Sequence, residues 1–300
     1  MSFDVIVVGG SFAGLAAALQ LARARRKVLV VDAGMPRNRY AAHSHGFLGH
    51  DGKAPAQILS ESIDQLLRYP GMSLRQGMAM AATPAGAGFR LALDDGATVD
   101  GQRLILALGV RDELPAMPGL AERWGQTVVH CPYCHGYELE GPLGVLGTHP
   151  NSAHQALLVP DWGPTTLFTQ GTLVVDEAEE TQLANRGVRI ERQPVVELLG
   201  EAPRLDGVRL ADGRIEPIHG LFVAPRTSVT SPLATQLGCA FEDGPMGSII
   251  RVDGMQQTSI PGVFAAGDAA THFTNATRAA AAGVMAGVAA HRSLFMGLAA

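Results

Sequence analysis

The chain has almost no lysine: of 23 basic residues, only Lys27 and Lys53 are not arginine. That skew follows genome composition and carries no function. Basic charge is not in excess either. The formal net charge is −5, which gives no reason to expect nucleic acid or an anionic membrane as partner. Cysteine is scarce. Three residues, Cys131, Cys134 and Cys239, make a poor framework for structural disulfides. Zinc would need two ligands beyond the C-x-x-C pair. No second C-x-x-C exists, and His130 and His135 lie too close to the pair to complete a tetrahedron, so no metal is expected. Long apolar runs are missing as well. The most apolar stretch, Ala279 to Ala290, is alanine and glycine and falls short of the roughly 20 residues that span a bilayer. The opening MSFDVIVVGG has no basic region ahead of its apolar run. It therefore reads as a first β-strand rather than a signal peptide, and a cytoplasmic address is the expectation.

What is present describes a packed globular protein: 47% hydrophobic over 300 residues, enough for one large domain or two ordinary ones. Asp4–Val8 and Arg26–Val31 are apolar runs of the kind that fill buried strands, and Gly14–Ala24 between them has the alanine–leucine content of a close-packed helix. A strand–turn–helix–strand unit builds a parallel sheet, so the fold class is α/β, with Rossmann-like three-layer domains. A polar stretch rich in histidine and glycine follows at 35–52, and Leu104–Leu108 is another buried strand. A second, blurred unit starts near Gly141, with strands expected at 143–146, 165–169 and 221–224, a helix at 152–159 and antiparallel strands within 188–210. Gly262–Asp268 then runs a strand into a glycine–aspartate turn, and Asn275–His291 is an alanine-rich helix.

The turn after the first strand is Gly9-Gly10-Ser11-Phe12-Ala13-Gly14. Glycine at its first position allows a tight turn, and at its last lets helix and sheet approach, so that helix amides face a pyrophosphate. Ser11 replaces the middle glycine of the fingerprint and adds little bulk. Asp32 closes the second strand about 20 residues on, where an acid bonds a ribose hydroxyl. Gly267-Asp268 favours FAD over NAD: Asp268 stands where it can bond the ribityl chain, before a helix whose N-terminus would face the flavin. By itself Asp268 could equally be a helix cap.

The sharpest signal is His130-Cys131-Pro132-Tyr133-Cys134-His135-Gly136. Two cysteines at this spacing can close a small disulfide, and a helix start with an adjacent imidazole lowers a thiol pKa. His135 is placed to carry the proton that dithiol chemistry moves. Cys239, in an apolar context, reads as a core residue.

In this order and spacing, the Gly9–Gly14 turn, Ala107-Leu108-Gly109, C-P-Y-C and GVFAAGD resemble the low-molecular-weight thioredoxin reductases over almost the whole chain. The resemblance implies a discontinuous FAD domain at 1–112 and 241–300, with an inserted NADPH-like domain at 113–240 that carries the dithiol. It further implies a homodimer. Cys134 would be the flavin-facing thiol and Cys131 the one that exchanges with substrate; Gly109, Asn275 and Ala276 would lie at the flavin. His135 and Gly136 depart from the reductases, which have an acid after the second cysteine. C-x-x-C-H-G-Y-E resembles instead the dithiol oxidases that close disulfides in natural products.

A second departure lies in the insert. Its fingerprint runs Gly147-Thr148-His149-Pro150-Asn151-Ser152, with histidine where backbone must approach a pyrophosphate. After the next strand stands Thr169-Gln170-Gly171, with no arginine until Arg186, so a 2′-phosphate would lack its cation. The insert is expected to be free of nucleotide and, with no nicotinamide to serve, to hold one arrangement without rotation. The favoured function is a dithiol oxidase passing electrons from a small-molecule or peptide dithiol through Cys131/Cys134 and FAD to oxygen. The alternatives are a thioredoxin reductase-like enzyme acting on a thioredoxin-like protein, reduced by NADPH or by a ferredoxin- or flavodoxin-type carrier, and a flavin-bound redox sensor. The roles of His43 and His45 stay open.

Overall fold

The computed structural model describes residues 2–296. The chain divides into two compact units, one of 1–39, 55–111 and 227–300, the other of 40–54 and 112–226.

In the first unit the apolar runs become a parallel sheet. Met72–Gln76, Val28–Asp32, Ser2–Val8 and Thr98–Leu106 lie side by side in that order. Gly88–Leu93 and Ala79–Ala85 continue the sheet antiparallel, and Val263–Ala265 pairs in parallel with the end of Thr98–Leu106. Alternate side chains along a strand face opposite sides. Thus Val5 and Val7 pack under the helices Phe12–Arg23 and Ala276–Met296, whereas Ile6 and Val8 join Leu91, Leu93 and Leu104 on the other face. Each such side chain contributes about 1.5–3 kcal/mol on burial.

The two helices touch through backbone. A Cβ on Gly283 would stand 2.0 Å from the Ala13 carbonyl oxygen, and one on Gly287 2.6 Å from that of Ala17. This close approach accounts for the alanine–glycine composition of both helices. Gly283→Val is expected to force them apart at a loss of about 3 kcal/mol or more, read as a lower melting temperature of the holoprotein.

The closing helix runs to 21 residues, longer than the apolar stretch suggested, and is one helix among the described residues long and apolar enough to cross a membrane. In the fold its small-residue face, Ala279, Gly283, Ala286, Gly287 and Ala290, is buried.

The second unit repeats the scheme. Arg189–Glu191, Thr165–Phe168, Leu143–Leu146, Gly220–Val223 and Val128–Val129 form a five-stranded parallel sheet. Leu143, Val145, Leu167 and Phe222 pack toward the helices Ser152–Leu158 and Glu177–Asn185. Leu146, Phe168, Leu221 and Val223 pack toward an antiparallel layer of Val195–Leu199, Gly207–Leu210 and Ile215–Glu216. The α/β class with Rossmann-like sheets is what the sequence pattern implies.

The unit boundaries differ from the sequence expectation in two places. The chain rejoins the first unit at Thr227, ahead of the expected 241, because Leu233, Ala234, Leu237 and Cys239 bury in the first unit's core beside Ile250. The polar stretch 40–54 groups with the second unit, where Tyr40 packs on Gly125 and His45 lies beside Glu138.

Candidate functional site

In the first unit, four of the residues expected at a nucleotide site lie at or just beyond the carboxyl ends of parallel strands. Gly9 follows Ser2–Val8, Asp32 ends Val28–Asp32, Gly109 follows Thr98–Leu106, and Gly267 follows Val263–Ala265. Open α/β sheets bind ligands at this edge.

The glycine turn is sterically determined. Gly9 has φ +107°, and a Cβ there would lie 2.1 Å from the Ala107 carbonyl oxygen; one on Gly14 would lie 1.8 Å from the Gly9 oxygen. Leu15 N–H donates to Ser11 O at the start of the helix, so the amides before it precede the first intrahelical bond and suit an anion. The Ser11 side chain makes no capping bond, and the first helical turn holds no acid.

Asp32 accepts from Gly10 N–H at 2.8 Å and from Gly34 N–H at 3.2 Å. A carboxylate has about four acceptor positions, so it closes the turn and retains capacity for a ribose hydroxyl. These groups fit a dinucleotide.

Asp268 is not a helix cap. The closing helix begins at Ala276, and Asn275 caps it, with Oδ1 accepting from Arg278 N–H at 2.7 Å. The Asp268 carboxylate instead takes a hydrogen bond from Arg37 at 2.9 Å, and the same guanidinium nitrogen reaches the Thr274 hydroxyl at 3.0 Å. Gly109 has φ +67° with no atom within 4 Å of a Cβ, and the hydroxyl of Thr230 donates to the neighbouring Leu108 carbonyl at 2.6 Å. Arg37 had escaped notice in the sequence: it sits in a polar stretch with no motif of its own, and only the fold brings it to Asp268, 231 positions away.

The dithiol belongs to the second unit. Cys131 is the N-cap of a one-turn helix, Pro132–His135, with Pro132 in its first turn. The Cys131 and Cys134 sulfurs are 2.7 Å apart. One turn of helix has a small dipole, so the helix start contributes less to thiol activation than its position in the motif suggested. The Trp162 ring lies against Gly136 and meets Tyr133 edge-on at 5.4 Å between centroids. Gln155 donates to the His130 carbonyl at 2.7 Å and ties the helix Ser152–Leu158 to the segment before the pair.

Both ring nitrogens of His135 are shielded from solvent without a well-formed hydrogen bond. Burial pushes its pKa below the ordinary histidine value; the nearby Glu138 carboxylate and a weak pull from the Cys131 carbonyl oppose the shift, while His45 adds to it. The imidazole is therefore neutral at pH 7. His45 stands 3.5 Å from Glu138 and 3.6 Å from Asp51, which puts it in the unit of the dithiol. His43 bonds the Gly52 carbonyl at 3.1 Å.

Cys239 is buried against Thr258, 3.6 Å away, and burial raises its thiol pKa. It is a core residue, as its apolar context implies. No group of three or more potential metal ligands occurs among the described residues.

The insert's turn is closed on itself. His149 is 6% exposed. Its Nδ1 accepts the Asn151 amide at 3.0 Å, and its own amide donates to Ser152 Oγ at 3.3 Å. Ser152 Oγ in turn donates to the Leu146 carbonyl at 3.1 Å. Amides that would face a phosphate are thus engaged by side chains of the turn. After the next strand, Gln170 makes two bonds to the Val195 backbone, at 2.7 and 3.2 Å. Arg186 and Arg189 are paired with Asp161 and Glu216.

Comparison with known proteins agrees with the fold. The profile of the pyridine nucleotide-disulphide oxidoreductases matches residues 3–147 and 165–283. Thioredoxin reductase tcpT of Claviceps purpurea is 33% identical over 98% of this chain and 95% of its own length. Among solved structures, an oxidoreductase from Agrobacterium tumefaciens is 50% identical with a TM-score of 0.95, covering 99% of this chain and 100% of that one. The structure of HlmI is 38% identical with a TM-score of 0.91, covering 98% and 92%. The chain therefore belongs to the pyridine nucleotide-disulphide oxidoreductase family, as a thioredoxin-reductase-like flavoprotein that uses FAD.

Proposed function

We propose that this flavoprotein is a dithiol oxidase: it takes two electrons from a small-molecule or peptide dithiol at Cys131/Cys134 and delivers them through FAD to oxygen. The observation that carries the reading is His149, buried in the insert's turn with Nδ1 on the Asn151 amide. A ring there takes the space and the donors that a pyridine nucleotide's pyrophosphate needs, so electrons arrive by another route, and a dithiol is the donor that the site is built to meet.

In this reading Gly9, Ser11, Gly14 and Asp32 hold the adenosine and pyrophosphate, while Gly109, Gly267, Asp268, Asn275 and Ala276 hold the flavin end. When bound, FAD supplies the two-electron acceptor that reoxidises the dithiol and passes both electrons and protons to oxygen as hydrogen peroxide. The protein's own steps are thiol exchanges. A substrate thiolate attacks the Cys131 sulfur; a bond forms between them, the Cys131–Cys134 bond breaks, and Cys134 leaves as thiolate. The second substrate thiol attacks the mixed disulfide, the substrate's own S–S bond forms, and Cys131 is released. His135, neutral because it is buried, takes the proton of the incoming thiol. The active species is proposed to be a homodimer.

The test is an anaerobic flavin titration followed by readmission of air. Bleaching by a small dithiol but not by NADPH or NADH, then recovery in air with peroxide formed, is the expected result. Stoichiometric bleaching by NADPH would overturn it. A second reading, reduction of a thioredoxin-like protein, draws on the thioredoxin reductases among the relatives; it predicts turnover with that partner and no net oxygen uptake.

A further inference from the structure

We infer that Arg37 is a positioning residue for FAD: one guanidinium nitrogen holds the Asp268 carboxylate and the Thr274 hydroxyl together, so that three separate segments of the cofactor edge are set before the cofactor arrives. The inference rests on the assignment of the first unit's strand ends to FAD. Nη1 of Arg37 lies 2.9 Å from Asp268 Oδ2 and 3.0 Å from Thr274 Oγ1. The three residues come from the turn after Val28–Asp32, the turn after Val263–Ala265 and the entry to the closing helix.

Burial makes this bridge consequential. The side chains of Arg37 and Asp268 are 21% and 19% exposed, so an unpaired carboxylate here would lose much of its solvation. Removing one partner of such a shielded pair is costly because the other is left uncompensated. Asp268 is also unusually placed, directly after Gly267 at φ +79°. It opens the short 3-10 helix Asp268–Ala270, whose N-cap is Gly267, so its side chain does not serve as that cap. The arginine fixes one oxygen, and with it the plane of the carboxylate that is to accept from a sugar hydroxyl. Through Thr274 the same nitrogen sets the residue before Asn275, whose side chain starts the closing helix. Arginine suits the task because its planar donors meet two acceptors at once, which a lysine ammonium on a flexible stem does poorly.

The test removes FAD from the holoprotein and measures its rebinding by flavin fluorescence. Arg37→Ala is expected to raise the FAD dissociation constant about 30-fold, or about 2 kcal/mol. Arg37→Lys, which keeps the charge but not the two-acceptor bridge, is expected to raise it about fivefold, and Thr274→Val about threefold. Because Arg37 and Asp268 act as one unit, adding Asp268→Asn to Arg37→Ala should cost much less than Asp268→Asn alone. Thermal melting of the apoproteins separates a folding defect from a binding one. Should Arg37→Ala not fold, Arg37→Lys and Thr274→Val carry the test. Wild-type affinity in both of these, or full multiplication of the Arg37 and Asp268 penalties in a folded double variant, overturns the inference. Loss of FAD binding in Asp268→Asn with none in the Arg37 variants would do the same. Flavin reduction by dithiols is not part of the readout, so a failure of the oxidase reading leaves this result intact.

Discussion

Cys134→Ser should lower turnover with a dithiol by at least about a thousandfold and, given the disulfide of a monothiol substrate analogue, keep a covalent adduct on Cys131. The two sulfurs sit 2.7 Å apart at the start of a single helical turn, so either can complete a disulfide with the other. They differ in what remains when one is lost. With Cys134 replaced, Cys131 can still exchange with the disulfide of a monothiol substrate analogue, and the mixed disulfide so formed has neither Cys134 nor a second thiol of its own to resolve it. With Cys131 replaced, Cys134 lacks its partner and the adduct should not accumulate. Mass spectrometry after incubation with that monothiol disulfide reads the adduct directly, and flavin content checks that each variant still holds FAD. An adduct on Cys134 in the Cys131→Ser protein, with none on Cys131 in the other, would reverse the assignment of the two thiols.

Replacement of His135 by asparagine is expected to cost roughly 10²–10⁴ in the rate of flavin reduction by dithiol, the usual contribution of a positioned acid–base group. The sign of its pH dependence follows from burial. A buried imidazole is harder to protonate, so the pKa in the folded protein lies below the ordinary value of about 6.5. The base form then predominates at neutral pH. Activity should fall only as the pH drops through a point below about 6.5, and His135→Asn should remove that acid limb along with most of the rate. The same shift means that the fold itself binds fewer protons than the unfolded chain at this site, so stability also declines with acidification across that window. An acid limb that persists unchanged in His135→Asn, or one centred above neutrality in the wild type, would assign the proton transfer to another group.

Much of the fold could be read from local pattern. Ser2–Val8, Leu143–Leu146 and Thr165–Phe168 are runs of apolar residues too short for helices, and full burial in a parallel sheet explains why they do not alternate. The strand Ala79–Ala85 and the helix Pro55–Leu67 had no comparable signal. The first is mostly alanine and ends in Thr83-Pro84-Ala85, which carries little strand propensity, and the second is an ordinary amphipathic helix between loops. The glycine turn was legible because steric exclusion acts on neighbours: a Cβ at Gly14 meets the Gly9 carbonyl. The C-x-x-C was legible for the same reason, since a four-residue span can bring two sulfurs together with no help from the rest of the chain.

The segment 40–54 shows where such reasoning stops. Its histidines had no role assigned by the sequence, and His45 stands beside Glu138, in the unit that holds the dithiol. Nothing in a polar loop states which surface it will cover, because its few apolar contacts, such as Tyr40 on Gly125, are made with residues far along the chain.

The sequence by itself determined the α/β class, the tight glycine turn at Gly9–Gly14 and the adjacency of the two cysteines, which rest on residues within a few positions of one another or on strand composition; FAD was legible through motifs at both ends of the chain. Only the tertiary structure decided that His149 is buried and bonded to Asn151, that His135 is desolvated, and that Arg37 holds Asp268. Burial and ion pairing depend on which distant segments pack together, and that information is spread over the whole chain rather than written at any one site.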